Sequence, residues 1–494
     1  MSPREIITKS SKLWLVAGVV LLGLTHMRWG IGVLAWVAPV PFLVYLRSST
    51  GIGSRVLVGL GLFAGYTLAV LKICTAPVSP ILAPVFALPE AAMAMGAYLA
   101  WDSARKRGPT WLAPLVFAAA SAVLEFALHH FTPFGSWGAV AYTQIDNLPL
   151  LQVCSLVGMA GVSFVVCWGA AALESYWANP ALGLRQLGVA AAVTTAAVGF
   201  GTLRLGLAET GETVSVAAIG TDSTVGGFPY PSVEQMEIVN QGLFARTATA
   251  ASAGAKLVEW TEAATLVERP NEATFLRRLS AAAAFHHIEL VASYVVPNDE
   301  SHTYENKYVW LRPDGAVDHH YLKHHPVPGE PAVAGTGVPR IVETDAGRAT
   351  GAICYDYDFP ALSLAQARLG LDLAVVPSSD WRGIDPIHAQ MASLRAIEGG
   401  FSLLRSTRFG MSAAFDPYGR ARGWQSSFES TTRVMVTALP KAGVRTLYTT
   451  IGDSFVLLCA LFVVAALTGA KRREKRALTA PMLLGRPTRK RLTA

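Results

Sequence analysis

The chain has 494 residues, of which 52% are hydrophobic and only 15% charged, with a mean hydropathy of +0.38. A soluble enzyme carries closer to a quarter of charged residues, so this composition excludes an ordinary soluble protein and points to lipid. The formal net charge of +7 comes from the segment 471–494, which holds nine Lys and Arg and one Glu. A basic tail of this kind suits anionic lipid headgroups, and no groove-reading or base-stacking element supports a nucleic-acid partner.

Apolar runs dominate both ends of the chain. Most of them reach or approach the roughly 17–25 residues that cross a bilayer. The first two are short and could form a hairpin that crosses obliquely or incompletely. A cleaved signal peptide is not favoured, because the first run lacks a small-residue cleavage site and another run follows at once. The predicted spans lie near 13–27, 31–46, 56–74, 81–101, 111–128, 148–173, 187–203 and 448–470.

The distribution of Lys and Arg between these spans predicts their orientation. With the N-terminus in the cytoplasm, the cytoplasmic segments hold 18 Lys and Arg, and the opposite short loops hold 2. Because cytoplasmic loops are enriched in basic residues, both termini are expected inside and the stretch between the seventh and eighth spans outside. The predicted domains are a membrane domain with about seven spans (1–207), a catalytic domain (208–446), a closing span (447–470) and a basic cytoplasmic tail (471–494).

The pattern changes between residues 213 and 440, where short β-rich runs alternate with Ala-rich helical stretches. The runs are apolar enough to be buried on both faces, which indicates an α/β layered domain. Strands are predicted at 213–219, 255–260, 288–296, 306–311, 349–355 and 371–377, and helices near 232–253, 271–286, 360–369 and 386–399.

Five cysteines occur in the chain, and four of them fall inside apolar spans. Cys354 alone lies in the 208–446 segment, so a disulfide or a thiolate metal site within that segment is excluded. It ends an apolar strand and precedes a polar turn, Tyr-Asp-Tyr-Asp-Phe-Pro. The residues leave two interpretations open at even odds, a nucleophile and a buried structural thiol.

A nucleophilic thiol needs a base or a cation nearby. Glu262 follows an apolar strand in VEWTEAA, and Lys323 lies in HHYLKHHPVPGE. Taken singly, each is more often a surface charge than a catalytic group. The histidines at 319, 320, 324 and 325 do not predict a metal site, because adjacent residues of a strand point to opposite faces.

The order Glu262, Lys323, Cys354 resembles the carbon–nitrogen hydrolase (nitrilase) superfamily, and further motifs are similar to the apolipoprotein N-acyltransferase family within it. The resemblance covers nearly the full chain, since motif order and span topology agree independently. The motifs are Trp260-Thr261-Glu262, Tyr321-Leu-Lys323-His324 with Val327-Pro328-Gly329-Glu330, Ile353-Cys354-Tyr355-Asp356 with Phe359-Pro360, His388-x-Gln390-Met391-Ala392, Leu404-Arg405, Trp137 with Ala141-Tyr142-Thr143-Gln144, and Gly161-Val162-Ser163-Phe164.

The resemblance implies a fold, a reaction and a set of roles. The fold is a polytopic helical membrane domain with an extracytoplasmic nitrilase-type α-β-β-α sandwich, in a bacterial inner membrane. The reaction moves a fatty acyl chain from a phospholipid, through a thioester, to the α-amine of a diacylated N-terminal cysteine of lipoproteins, without a cofactor or metal. Glu262 is the implied base, Lys323 the oxyanion-stabilising cation and Cys354 the nucleophile. The implied supporting residues are Glu330, Tyr355 and Asp356, and the implied substrate-binding residues are Trp137, Tyr142, Gln144 and Trp381.

The chain departs from the family pattern around the expected pocket. Thr261 replaces a proline, Asp356 replaces a glutamate, and Arg408-Phe409-Gly410 replaces Asn-Asn-Gly. Either Phe228 or Tyr230 stands for a tryptophan expected early in the domain. Two other functions therefore remain in view, a membrane-anchored amidase that uses the same three residues with water as acceptor, and a non-catalytic lipid-binding member.

Overall fold

The computed structural model describes residues 11–208, 211–225, 230–298 and 300–479. Phe228 and the last fifteen residues of the basic tail lie outside the described residues.

The first part of the chain is helical. Within the described part of the chain, five helices are long and apolar enough to cross a membrane, judged by length and composition, and shorter apolar helices accompany them. The five run over Ile52–Leu71, Pro80–Arg107, Leu112–Phe131, Met159–Ala178 and Pro180–Gly206. The α-helices of this part are α1 (Ser11–Thr25), α2 (Val40–Ser48), α3 (Ile52–Leu71), α4 (Ala83–Arg107), α5 (Leu112–Phe131), α6 (Leu148–Leu151), α7 (Cys154–Val157), α8 (Met159–Ala178) and α9 (Pro180–Gly206).

The run predicted as one span at 148–173 is not a single helix. It begins with the single turns α6 and α7, and the long helix α8 starts only at Met159. Gly158 between α7 and α8 has φ +70°, and a Cβ there would lie 2.6 Å from the ring of Tyr448. A left-handed glycine ends a helix readily because it has no Cβ, so hydropathy shows the apolar run but not its break.

Residues 213–440 form two six-stranded sheets. The first has the order β14-β1-β2-β3-β4-β5, with β1, β2 and β3 parallel. The second has the order β13-β12-β10-β8-β7-β6, with β7, β8 and β10 parallel. The strands are β1 (Thr213–Ile219), β2 (Leu257–Trp260), β3 (Glu289–Asn298), β4 (Thr303–Leu311), β5 (Val317–Leu322), β6 (Val342–Thr344), β7 (Gly347–Gly351), β8 (Leu373–Val375), β9 (Ser378–Ser379), β10 (Ser402–Arg405), β11 (Thr407–Arg408), β12 (Met411–Phe415), β13 (Ala421–Ser426) and β14 (Val434–Pro440).

The two sheets pack face to face, and helices cover their outer faces. In β2, Leu257 points into the core between the sheets, whereas Val258 and Trp260 point outward; this follows from the two-residue period of a strand. Trp260 packs edge-to-face against Phe244 at 5.6 Å. The helices of this part and of the C-terminus are α10 (Val233–Ser252), α11 (Glu272–His286), α12 (Pro360–Arg368), α13 (Ile387–Gly399), α14 (Leu447–Ile451) and α15 (Ser454–Thr479).

The order of layers is therefore α-β-β-α, with α10 and α11 on the first sheet and α12 and α13 on the second. This confirms the predicted fold class. The last helix, α15, packs against α5 and α4, so the chain returns to the apolar helices after the sandwich.

Candidate active site

Cys354 lies at the sharp turn that follows β7. It begins a 3-10 turn over Cys354–Asp358 and has φ +48°, a left-handed conformation that residues other than glycine seldom adopt. Its backbone N–H donates to Pro377 O at 2.9 Å, and its thiol donates to Ser379 O at 3.5 Å. The turn thus places the thiol beside the carboxyl ends of β7 and β8, with only 3% of the residue exposed.

Lys323 forms ion pairs with two carboxylates. Its Nζ is 2.8 Å from Glu262 Oε1 and 2.8 Å from Glu330 Oε2. Glu262 follows β2 and Lys323 follows β5, so each leaves the first sheet at the end of a strand. Lys323 is 1% exposed, and a buried ammonium of this kind requires partners of opposite charge.

Asn306 completes this cluster and was missed from the sequence. Its Nδ2 donates to Glu262 Oε1 at 2.7 Å and to Glu330 Oε1 at 3.0 Å. Tyr304 also donates to Glu330 Oε1, at 3.1 Å. The only signal in the sequence was that Asn306 shares a strand face with the apolar ring of Tyr308, two residues later.

The charges around Cys354 set its resting state. Burial and the carboxylate of Glu262 raise the pKa of the Cys354 thiol well above its usual value, although the Lys323 cation opposes them. Burial lowers the pKa of Lys323, but Glu262 and Glu330 outweigh it and hold that pKa well above the usual range. The raised pKa favours the thiol form of Cys354 over the thiolate, and a thiol reacts as a nucleophile only after it has lost its proton.

Asp356 braces the turn and does not contact Lys323. One oxygen accepts from Tyr321 Oη at 2.9 Å and from the N–H of Ile353 at 2.9 Å. The other accepts from the N–H of His325 at 2.7 Å. Asp356 is fully buried, so these bonds tie the thiol turn to the segment that follows β5.

The same turn is bound to the loop between α5 and α6. The N–H of Ser136 donates to Asp358 O at 2.7 Å, and Trp137 Nε1 donates to Asp358 Oδ2 at 2.7 Å. Tyr355 donates its hydroxyl to Pro133 O at 2.8 Å. The segment that carries Cys354 is therefore fixed directly to a loop between apolar helices.

A second buried charge network lies behind the thiol. His388 bridges Asp380, whose Oδ1 is 2.7 Å from Nδ1, and Asp358, whose Oδ1 is 3.1 Å from Nε2. Arg405 donates to both oxygens of Asp380, at 2.8 and 3.1 Å. Atoms of Cys354, Asp380 and His388 that could act as metal ligands lie within 4.8 Å of one another. They do not suit a metal ion, because both ring nitrogens of His388 are engaged and Arg405 occupies the carboxylate.

The titration of His388 makes stability depend on pH. Burial lowers its pKa, but Asp358 and Asp380 outweigh burial and raise it to about 9, against 6.5 in the unfolded chain. The stabilisation is therefore complete below about pH 6.5 and is lost as the pH rises through about 9. The melting temperature of the detergent-solubilised protein should exceed that of His388→Asn by a margin that shrinks over this window. The difference between the folded and unfolded pKa values of His388 corresponds to about 3 kcal/mol of stability.

His287 provides the control for this measurement, because it is exposed. Substitution of His287 by asparagine should leave a constant difference in melting temperature from pH 6.5 to 9. A margin for His388→Asn that grows with pH would show that the imidazole is neutral in the folded protein.

The other three predicted substrate-binding residues form hydrogen bonds outside the Cys354–Asp358 turn. Tyr142 bonds Ser136, at 2.7 Å between the hydroxyls, and Gln144 donates to Gly32 O at 2.9 Å; both are buried among the apolar helices. Trp381 donates to Ile73 O at 2.8 Å and packs where the sandwich meets the helices. Of the four, Trp137 alone hydrogen-bonds the Cys354–Asp358 turn among the described residues.

Comparisons with known proteins match both parts of the chain. Residues 208–447 match the family model described as carbon-nitrogen hydrolase, and residues 17–172 match the apolipoprotein N-acyltransferase N-terminal domain. The chain is 28% identical to the apolipoprotein N-acyltransferase of Geobacter metallireducens, over 94% of this chain and 96% of the relative. It is 25% identical to that of Shewanella oneidensis, over 80% of each chain.

Among solved structures, an amidase from Nesterenkonia sp. aligns with 51% of this chain and 98% of its own, at 19% identity and a TM-score of 0.40. The two family models together cover most of the apolar helices and the whole sandwich, and the two relatives are matched over 80% and 96% of their own lengths. The chain is thus an acyltransferase that belongs to the apolipoprotein N-acyltransferase family of the carbon–nitrogen hydrolase superfamily.

Proposed function

We propose that this protein transfers a fatty acyl chain from a membrane phospholipid, through a thioester on Cys354, to the α-amine of the diacylglyceryl-modified N-terminal cysteine of lipoproteins. One observation carries the proposal. Cys354 lies within electrostatic reach of the Glu262–Lys323 pair, on a turn that is hydrogen-bonded to the loop between two apolar helices. A thiol in that place meets acyl chains that remain in the bilayer.

In the first half-reaction Glu262 takes the proton of the Cys354 thiol, and the thiolate attacks the ester carbonyl carbon. Lys323 stabilises the resulting oxyanion, a role for which each preorganised donor is worth a few kcal/mol. Glu330 holds Lys323 in place through its 2.8 Å contact, and a backbone N–H near Tyr355 is the second donor. The carbon–oxygen bond then breaks, the lysophospholipid leaves with the proton from Glu262, and the thioester remains.

In the second half-reaction the lipoprotein α-amine attacks the thioester carbonyl. Glu262 accepts the proton that the amine loses, the carbon–sulfur bond breaks, and Cys354 recovers its proton from Glu262. The products are an amide on the lipoprotein and the free thiol. No oxidant, reductant or metal takes part in either step.

The location of both substrates explains the membrane helices. Removing each CH₂ from lipid into water costs roughly 0.8 kcal/mol, so a soluble enzyme would pay heavily for every acyl chain it extracted. The proposal places the protein in the bacterial inner membrane, with the domain 208–446 outside the cytoplasm and both termini inside.

The test is direct detection of the acyl-enzyme. Purified protein in detergent is incubated with a phospholipid labelled in its acyl chain, and peptides are analysed by mass spectrometry. Label is expected on Cys354, and a diacylated lipopeptide added afterwards should remove it as an N-acylated product. Cys354→Ala should not label, whereas Cys459→Ala, which removes another buried thiol, should label like the wild type.

Three outcomes would contradict the proposal. Absence of label on the wild type would indicate a lipid-binding protein without this chemistry. Equal label on Cys354→Ala would place the nucleophile elsewhere. Label that appears only as free fatty acid, with the lipopeptide unmodified, would identify a hydrolase that uses the same three residues.

A further inference from the structure

Arg408 is a buried cation beside the thiol whose contacts are all neutral. Its Nη1 donates to Val225 O at 2.6 Å and Ala263 O at 3.4 Å, and its Nε donates to Ser379 Oγ at 3.2 Å. Only 8% of the residue is exposed. Within the described ranges, its Nη2 has no hydrogen-bond acceptor and no carboxylate forms an ion pair with it.

The other two arginines buried in the same part of the sandwich are paired. Arg405 contacts Asp380 at 2.8 Å, and Arg395 contacts Glu398 at 3.1 Å. Glu262 and Glu330, the carboxylates whose charges reach Arg408, are already bound by Lys323. Since a buried guanidinium is stable only with an anionic or strongly polar partner, the unpaired edge of Arg408 is suited to an anion that arrives from outside.

The pairing of two short strands brings this guanidinium close to Cys354. In the β9–β11 ladder, Arg408 is in register with Ser379. The carbonyl oxygen of Ser379 accepts a hydrogen bond from the Cys354 thiol, and its hydroxyl oxygen accepts one from Arg408 Nε. A single residue thus separates the sulfur from the cation.

We propose that Arg408 binds the phosphodiester of the acyl donor and so selects a glycerophospholipid over a neutral glycerolipid. In such a lipid only five bonds separate the sn-2 carbonyl carbon from phosphorus, and six separate the sn-1 carbonyl carbon from it. A lipid whose ester lies at the Cys354 thiol therefore presents its phosphate a few ångströms away, where a guanidinium can pair with two oxygens. This inference rests on the proposed function, because it assumes a phospholipid donor.

A different role for the same cation would be a general electrostatic effect on the thiolate or the oxyanion. That effect would act on every acyl ester, whether or not it carries a phosphate. Binding of the phosphodiester acts only on donors that contain it. The two roles therefore differ in how an Arg408 variant treats two donors that share the same labelled diacylglycerol.

The experiment compares dipalmitoylphosphatidylglycerol with dipalmitoylglycerol, both labelled in the acyl chains, in detergent micelles. The rate of acyl-Cys354 formation is measured for the wild type, Arg408→Gln and Arg408→Lys. The wild type should react about 10- to 100-fold faster with the phospholipid, the range expected of a charge-assisted hydrogen bond. Arg408→Gln should lose that preference, and Arg408→Lys should keep part of it. Rates with dipalmitoylglycerol should fall much less than rates with the phospholipid, and thermal unfolding in detergent checks that the variants are folded.

Arg382→Gln is the matched control, because it removes the same charge from an exposed arginine near the helices; it should retain the wild-type preference. Equal losses with both lipids, no loss with either, or a wild type without preference would overturn the inference and leave the proposed function standing. Failure of the wild type to label with either lipid would instead refute the proposed function.

Discussion

Replacement of Lys323 by methionine should lower acyl-enzyme formation by roughly 100- to 1,000-fold, the loss seen when one oxyanion donor is removed. Methionine keeps the length of the side chain and removes the ammonium that lies 2.8 Å from Glu262 and 2.8 Å from Glu330. Without it, two buried carboxylates face each other, and one of them is expected to take up a proton. A protonated Glu262 cannot accept the proton of Cys354. The measurement is the rate of label transfer from phospholipid to Cys354.

Lys307→Met is the matched control. Lys307 is also buried and lies 2.6 Å from Glu272 and 2.6 Å from Glu305. It follows Asn306 on β4, so it points to the opposite face of the sheet, away from the thiol. Both variants should lose stability, because each removes a buried cation shared by two carboxylates, but only Lys323→Met should lose the acyl-enzyme. Equal rates for the two variants would show that Lys323 acts through the fold alone.

Replacement of Asp380 by asparagine should cause the largest loss of stability, about 3–5 kcal/mol in the free energy of unfolding. Burial would raise the pKa of Asp380, but Arg405 and His388 outweigh it and lower this pKa to about 2. The carboxylate is therefore charged at every ordinary pH and lies between two buried cations. Asparagine has the same shape but leaves Arg405 and His388 without their common anion. Thermal and denaturant unfolding in detergent measure the effect.

Asp222→Asn provides the comparison for Asp380→Asn. Asp222 also lies between two arginines, Arg246 and Arg433, but its side chain is 48% exposed. Exposed ion pairs are worth little, so this variant should lose no more than about 1 kcal/mol. A similar loss in both variants, or none in Asp380→Asn, would show that the network behind Cys354 does not stabilise the domain.

Sequence periodicity predicted six strands of the sandwich (β1, β2, β3, β4, β7 and β8), and the described residues contain fourteen. The strand predicted at 213–219 is β1 with the same bounds, and the helix predicted at 386–399 begins one residue later. The span predicted at 148–173 is broken before Met159. The difference arises because apolar runs locate buried segments, whereas a turn at a glycine such as Gly158 is set by its neighbour Tyr448, which is distant in sequence.

Site residues that stand out in the local sequence were predicted, whereas a site residue defined only by its contacts in the fold was not. Cys354 is distinguished by being the single cysteine outside the apolar spans, and Glu262 and Lys323 each follow a recognisable strand. Asn306 carries no such mark, since it was predicted as the first residue of a strand, where a polar side chain usually faces water, whereas β4 begins at Thr303 and Asn306 is buried within it. Its role near Glu262 appears only once β4 lies beside the ends of β2 and β5.

Cys354 thus shows both kinds of information. The amino-acid sequence by itself determined that a single cysteine outside the apolar runs comes shortly after a buried strand, in a domain between apolar helices, with a family resemblance that names its partners. Only the tertiary structure decided that Lys323 is shared by two carboxylates, that Asp358 joins the thiol turn to Trp137, and that Arg408 has no carboxylate partner among the described residues. These facts depend on distances between residues far apart in the chain. Such distances are set by the packing of the two sheets and the helices, and local patterns do not encode them.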